Sequence, residues 1–145
     1  MRAFVLFLVV LLWGPALASA QPAPARPSDN LLTRPALQAV VAAQRNRDAH
    51  ALRPHLDADN AGVRARAAFA LASVQDTAAI PGLLSLLNDS VPLVRTDAAF
   101  ALGQMPTGVP GDALLQSLRT ERDARVQRRL IEALGKTGDA TSLRA

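Results

Sequence analysis

Apolar residues recur from residue 35 onward with the spacing of helices rather than strands. The stretch "VRARAAFALASV" at 63–74 shows the pattern best. At about 100° per residue, Val63, Ala67, Ala70, Leu71 and Val74 share one face. Ala65, Phe69 and Ala72 point to roughly the opposite side. A surface helix would be polar there, so the pattern predicts a helix packed between neighbours. Alanine lets those neighbours approach closely. Phe69, and Phe100 in the next copy, are expected to be buried in the gaps between them.

The phrase returns as "VRTDAAFALGQM" at 94–105. Val63, Arg64, Phe69 and Leu71 recur as Val94, Arg95, Phe100 and Leu102, an offset of 31 residues. "GLLSLL" at 82–87 recurs as "ALLQSL" at 113–118 with the same offset. A third copy, "VQRRLIEALGKTGD", begins at Val126, one residue later than the period requires. Leu37, Val40, Val41, Leu52 and Leu56 form a worn copy ahead of them. Each unit reads as helix, turn, helix, and stacked units of this length bury themselves only against their neighbours. The expected fold is all-α, an α-solenoid of about three full repeats plus a partial one.

Turn residues agree with this division. Asn60 and Asp123 stand where an N-cap is needed, and Asp76 and Asp139 can cap the second helices. Val91 is a poor cap, but Pro92 suits a first helical position. Gly103 and Gly135 fall near the ends of first-type helices.

Composition adds a compartment and removes several chemistries. The first residues, "MRAFVLFLVVLLWGPALASA", have a basic start at Arg2, an apolar run from Ala3 to Trp13, and the small-residue site Ala18-Ser19-Ala20. That is the layout of a secretory signal peptide, so residues 1–20 are expected to be removed on export to the periplasm or exterior. The mature chain would then have no membrane segment. The proline-rich "QPAPARPSDN" opens a flexible linker over 21–34. The repeat domain is expected over 35–145 and to be incomplete at its C-terminus. There, alignment puts Leu143 opposite Ile80, ahead of the leucines that follow Ile80. The chain has no cysteine and carries a formal charge of +4, with arginine supplying all but one of its 16 basic residues. Arginine- and alanine-rich composition accounts for that balance. Only 3% of residues are aromatic, which argues against base stacking and therefore against a nucleic-acid partner.

The segment "NAGVRARAAFALASVQDTAAIPGLLSLLNDSVPLVRTDAAFALGQM" at 60–105, and "DARVQRRLIEALGKTGDA" at 123–140, resemble bacterial HEAT repeats of the phycobilisome-lyase type. The resemblance covers roughly residues 35–145. It implies the solenoid fold and a binding scaffold, and it is nearly silent on the partner. A chromophore-lyase role follows from the family name alone and fits poorly with export. Exported arrays of this kind are similar to segments found ahead of catalytic domains such as cyclophilin-type peptidyl-prolyl isomerases.

Candidate chemistry is sparse. His50 and His55 stand near Asp57 and Asp59, but a spacing of five residues puts the two imidazoles about 140° apart on a helix, and Pro54 intervenes. Zinc ligation prefers four, so no metal is expected. No cofactor motif, glycine-flanked serine or phosphate loop appears, and no catalytic residue is assigned within these 145 residues. Arg119, Arg122, Arg125, Arg128 and Arg129 form a basic cluster, a candidate patch for an anionic partner. Arg66, Asp97 and Arg129 occupy equivalent positions in successive copies. Helices stacked about 8–10 Å apart would let these charges pair as a ladder. The expected function is an exported scaffold that binds a protein or peptide on its second helices. The alternative is the N-terminal array of a longer exported enzyme.

Overall fold

The computed structural model describes residues 35–137. The expected signal peptide, the linker, the Asp139 cap and the final partner helix lie outside the described residues. Seven helices follow one another: α1 (Pro35–Arg45), α2 (Ala49–Leu52), α3 (Ala61–Val74), α4 (Ile80–Leu86), α5 (Pro92–Leu102), α6 (Gly111–Thr120) and α7 (Ala124–Lys136). One-turn 3₁₀ segments extend α2 over Arg53–Asp57 and lead into α4 over Thr77–Ala79. There is no strand among the described residues. The chain is an all-α solenoid.

Helix starts are set by the residues the sequence marks. Asn60 accepts from the Gly62 and Val63 amides at 2.9 and 3.2 Å, and Asp123 accepts from Arg125 at 2.8 Å. Asp76 caps its 3₁₀ turn through the Ala78 amide. Val91 offers no side-chain cap, so Pro92 begins α5 and Asp89 takes up the Val91 amide at 2.8 Å.

The helices form two unequal layers. In the first, α1, α3, α5 and α7 pack side by side. Their contact surfaces are largely alanine: Ala65, Ala67, Ala68, Ala70 and Ala72 of α3 and Ala98, Ala99 and Ala101 of α5 are all buried. In the second, α4 and α6 each pack on the first-layer helix that follows, with Leu83 and Leu114 fully buried. Between α4 and α6 lies a polar cleft of about 510 Å³. The helices α1, α3, α5 and α7 make the closest neighbour-to-neighbour contacts along the array, and we call theirs the inner layer.

Two arginines fix the spacing of the turns. Arg64 forks onto Asp89 (Nε to Oδ2 2.7 Å, Nη2 to Oδ1 3.2 Å) while its Nη1 donates to the Ala58 and Asp59 carbonyls at 2.7 and 2.9 Å. Arg95 repeats this one unit later. It forks onto Glu121 at 2.7 and 3.0 Å and donates to the Asp89 carbonyl at 2.8 Å. Gln127, which replaces the arginine in the third copy, keeps only the carbonyl bond, to Glu121 at 2.8 Å. Each guanidinium thus ties the turn before its helix to the equivalent turn of the next repeat, before the next first-layer helix. The hydrogen bonds from Arg95 hold the Glu121 carboxyl down to about 2, and the Arg122 and Asp123 amides assist against the opposing effect of burial. Burial pushes Asp89 up, but Arg64 and the Val91 amide outweigh it and leave Asp89 below its ordinary value.

Gly103 serves a different purpose from the one its position suggests. It ends α5 with an ordinary φ of −69°. A Cβ there would lie 2.9 Å from the Ala133 Cα, so glycine is required because α5 and α7 meet backbone to backbone. Gly135 lies within α7 with open space around it.

Two stability predictions follow from these contacts. Arg95→Ala strips Glu121 of its charged partner and the Asp89 carbonyl of its donor, and should cost about 3–5 kcal/mol in urea denaturation. Arg95→Lys should recover less than half of that, because an ammonium cannot fork. Gly103→Ala should cost about 1–3 kcal/mol through overpacking. Gly135→Ala, the control, should gain up to about 1 kcal/mol from helix propensity.

Candidate binding groove

On the inner side the repeat positions form a small grid. One row holds Arg66, Asp97 and Arg129, and the next holds Phe69, Phe100 and Glu132. Phe69 and Phe100 were expected between the helices, and the structure corrects this. Phe69 is 44% exposed and Phe100 is half-buried. The alanine interfaces leave no room for a ring, so both rings lie on the inner surface. There they stack on each other, with centroids 5.5 Å apart and planes 19° from parallel. Arg66 covers Phe69 at 5.4 Å and Arg129 covers Phe100 at 5.1 Å. Guanidinium, ring, ring and guanidinium form one continuous stack across α3, α5 and α7. The ring pair contributes about 0.5–1.5 kcal/mol beyond its buried area, and each exposed cation–ring contact about 0.5–1 kcal/mol.

The structure brings the three ladder residues together but does not close them as ion pairs. Arg66 Nη2 donates to Gln44 Oε1, and Arg129 Nη1 bonds Glu132 at 2.7 Å. No ion pair within 4.0 Å joins Asp97 to either arginine. Gln44 and Glu132 take the guanidiniums first. Among the described residues, Asp97 is the one acid shielded from full exposure that has no hydrogen bond or ion pair. Burial raises its carboxyl to about 6, against the weaker pull of Arg129 and Arg66.

Beside this stack a groove of about 300 Å³ crosses the inner layer. Leu37 and Val41 of α1 form one wall and Leu93 of α5 the other. Gly62 and Ala65 of α3 form its floor, and the Phe69 ring, Arg66 and Asp97 border it. The row Gly62, Leu93, Arg125 is uneven: Gly62 puts no side chain into the groove while Leu93 stands out, 58% exposed. On the second layer the α4–α6 cleft is polar.

A family model described as HEAT repeats matches residues 49–135. The chain belongs to the HEAT repeat family. No curated protein matches it. The match spans α2 to α7, so the groove, stack and arginine-linked turns lie on its repeats or, for Leu37 and Val41, on the helix preceding them.

The remaining candidates separate. Arg119, Arg122, Arg125 and Arg128 are exposed, and Arg125 sits 3.6 Å from Asp123. Arg129 leaves that cluster for the ring stack. His50 is exposed and borders a shallow cleft with Arg53, Pro54 and Asp57. No group of three metal-ligating side chains converges among the described residues. No described helix is long and apolar enough to cross a membrane.

The Asp97 environment sets a pH signature. Its folded-state carboxyl titrates near 6, above the ordinary 3.8, so the folded state prefers the neutral form. Asp97 therefore costs stability at neutral pH, and the cost is relieved as pH falls from above 6 through 3.8. Glu121 acts in the opposite sense: its stabilisation is present above 4.5 and is lost as pH falls toward 2. Asp97→Asn should be more stable than the unaltered chain at pH 7.5, and the two should converge by pH 4. Chemical denaturation at several pH values checks this. A constant difference would show that Asp97 is not desolvated.

Proposed function

We propose that this HEAT repeat protein is a scaffold that binds a peptide segment of a partner protein on its inner layer. HEAT repeats commonly serve as protein-interaction scaffolds, and the observation that carries the reading here is the apolar groove open across α1, α3 and α5. It favours a binding surface on the first-layer helices over the second-layer surface expected from the sequence. Exposed Leu93 and Phe69 have no structural task that requires their exposure, and exposed apolar side chains bordering a groove are what a partner's apolar side chain fills. The leader-like pattern from Arg2 to Ala20 supports work outside the cytoplasm.

A peptide library displayed on phage, selected against the full chain, tests the surface. Leu93→Asp should weaken the selected peptides at least tenfold, and Gln116→Asp on α6 should leave them unchanged. The reverse pattern would move the binding surface to the second layer and overturn the reading.

A further inference from the structure

The apolar groove and part of the basic cluster share one surface. In the repeat register, Gly62 and Ala65 of the groove floor correspond to Leu93 and Thr96 on α5 and to Arg125 and Arg128 on α7. The positions that are smallest under the groove thus carry guanidiniums two first-layer helices further along. The rest of the cluster is placed or occupied differently. Arg119 belongs to α6, Arg122 to the turn after it, and Arg129 is engaged by Glu132 and the Phe100 ring. Arg125 and Arg128 are exposed. Arg125 meets Asp123 at 3.6 Å, through an oxygen that already accepts the Arg125 amide. Among the described residues no ion pair holds the Arg128 side chain.

Neither arginine helps the fold in an evident way. Arg125 is the second residue of α7, at the positive end of the helix dipole, where a cation is unfavourable. A glutamate there would suit the helix better. Two free guanidiniums on the same layer as an apolar groove fit a ligand that is apolar at one point and anionic at another.

Geometry sets the distance between those points. Neighbouring packed helices lie about 8–10 Å apart, so α7 stands about 16–20 Å beyond α3. An extended chain advances about 3.3 Å per residue, which makes the span about five or six residues, and the length of an arginine side chain widens it to about four to six. Asp97 borders the groove on the intervening helix and repels an acid placed directly beside the apolar group.

We propose that the ligand of the inner layer is an extended peptide with one large apolar side chain in the groove between Leu37, Val41 and Leu93, and with carboxylates about four to six residues away that pair with Arg125 and Arg128. This rests on the inner-layer reading above and names the chemistry of its ligand. The exposed pairs contribute modest affinity. Their larger effect is to fix the register of the peptide and to steer its approach.

The same displayed peptide library, selected in parallel against the full chain and against an Arg125→Ser/Arg128→Ser double variant, tests this. Peptides selected on the unaltered chain should carry Asp or Glu about four to six positions from a large apolar residue. Those selected on the variant should keep the apolar residue and lose the acids. A second measurement needs no variant of the protein. Replacing the acids of a selected peptide by their amides should weaken its binding to the unaltered chain about fivefold at low salt, and hardly at all near about 1 M salt. Apolar anchors with no acidic preference, or an acidic preference that survives the double variant, overturn the proposal and leave the inner-layer reading standing. So does polyglutamate that competes as well as the selected peptides, since it has no apolar anchor. Selected peptides that footprint on α4 and α6 overturn both.

Discussion

The bond from a first-layer arginine to the equivalent turns of its own and the next repeat is the constraint on which the rest depends. Arg64 and Arg95 each reach back to a carbonyl and forward to a carboxylate. A planar fork meeting a carboxylate has little freedom in distance or angle, so it sets how far apart consecutive turns stand. That in turn sets how closely α3, α5 and α7 approach. At this spacing only alanine and glycine fit on the facing surfaces, which is why Gly103 meets Ala133 backbone to backbone. Rings are then excluded from the interface, and Phe69 and Phe100 move to the inner surface. The stack and the groove follow from a decision made in the turns.

This order of cause explains what could be read in the sequence. The 31-residue period, the helix boundaries and the Asn60 and Asp123 caps are local features, and local features are visible in one dimension. The exposure of Phe69 was not. Helical angle places it opposite Leu71, but whether that side is filled depends on interhelix distance, which angles do not contain. Arg64 and Arg95 were visible as a recurring pair. Their acceptors were hidden, because Asp89 and Glu121 differ in type and stand 32 residues apart, across the one-residue insertion before Val126. Counting positions did place Arg66, Asp97 and Arg129 in one row. It could not show that Gln44 and Glu132, which lie off the row, would engage both arginines.

The repeat also separates positions that build from positions that distinguish. Those that recur in all three copies, Val63 with Val94 and Val126 and Leu71 with Leu102 and Leu134, are buried. Those that change from copy to copy form the inner face: Gly62, Leu93 and Arg125, then Arg66, Asp97 and Arg129, then Phe69, Phe100 and Glu132. A perfectly regular array would present the same ridge at every step and select no register for a ligand. Here the rows break, and the breaks produce an apolar groove beside an unpaired carboxylate.

Asp97 shows which of these breaks carries a cost. Its equivalents, Arg66 and Arg129, each rest on a phenylalanine ring and have a polar partner. Asp97 has neither, and burial holds its carboxyl near 6. An asparagine, or a third arginine, would remove that burden with no change to the arginine-linked turns or the alanine layer. Sequences tend to satisfy every local rule except where a site requires otherwise, and a destabilised group is characteristic of sites rather than of scaffolds. Phe69 carries a second cost in its exposure, and Leu93 a third. All three border one groove on one face. Three separate departures from stable packing, converging on about 300 Å³, set this groove apart from the solvated arginines of α7, which is why the anchor of the proposed peptide is put here and not there.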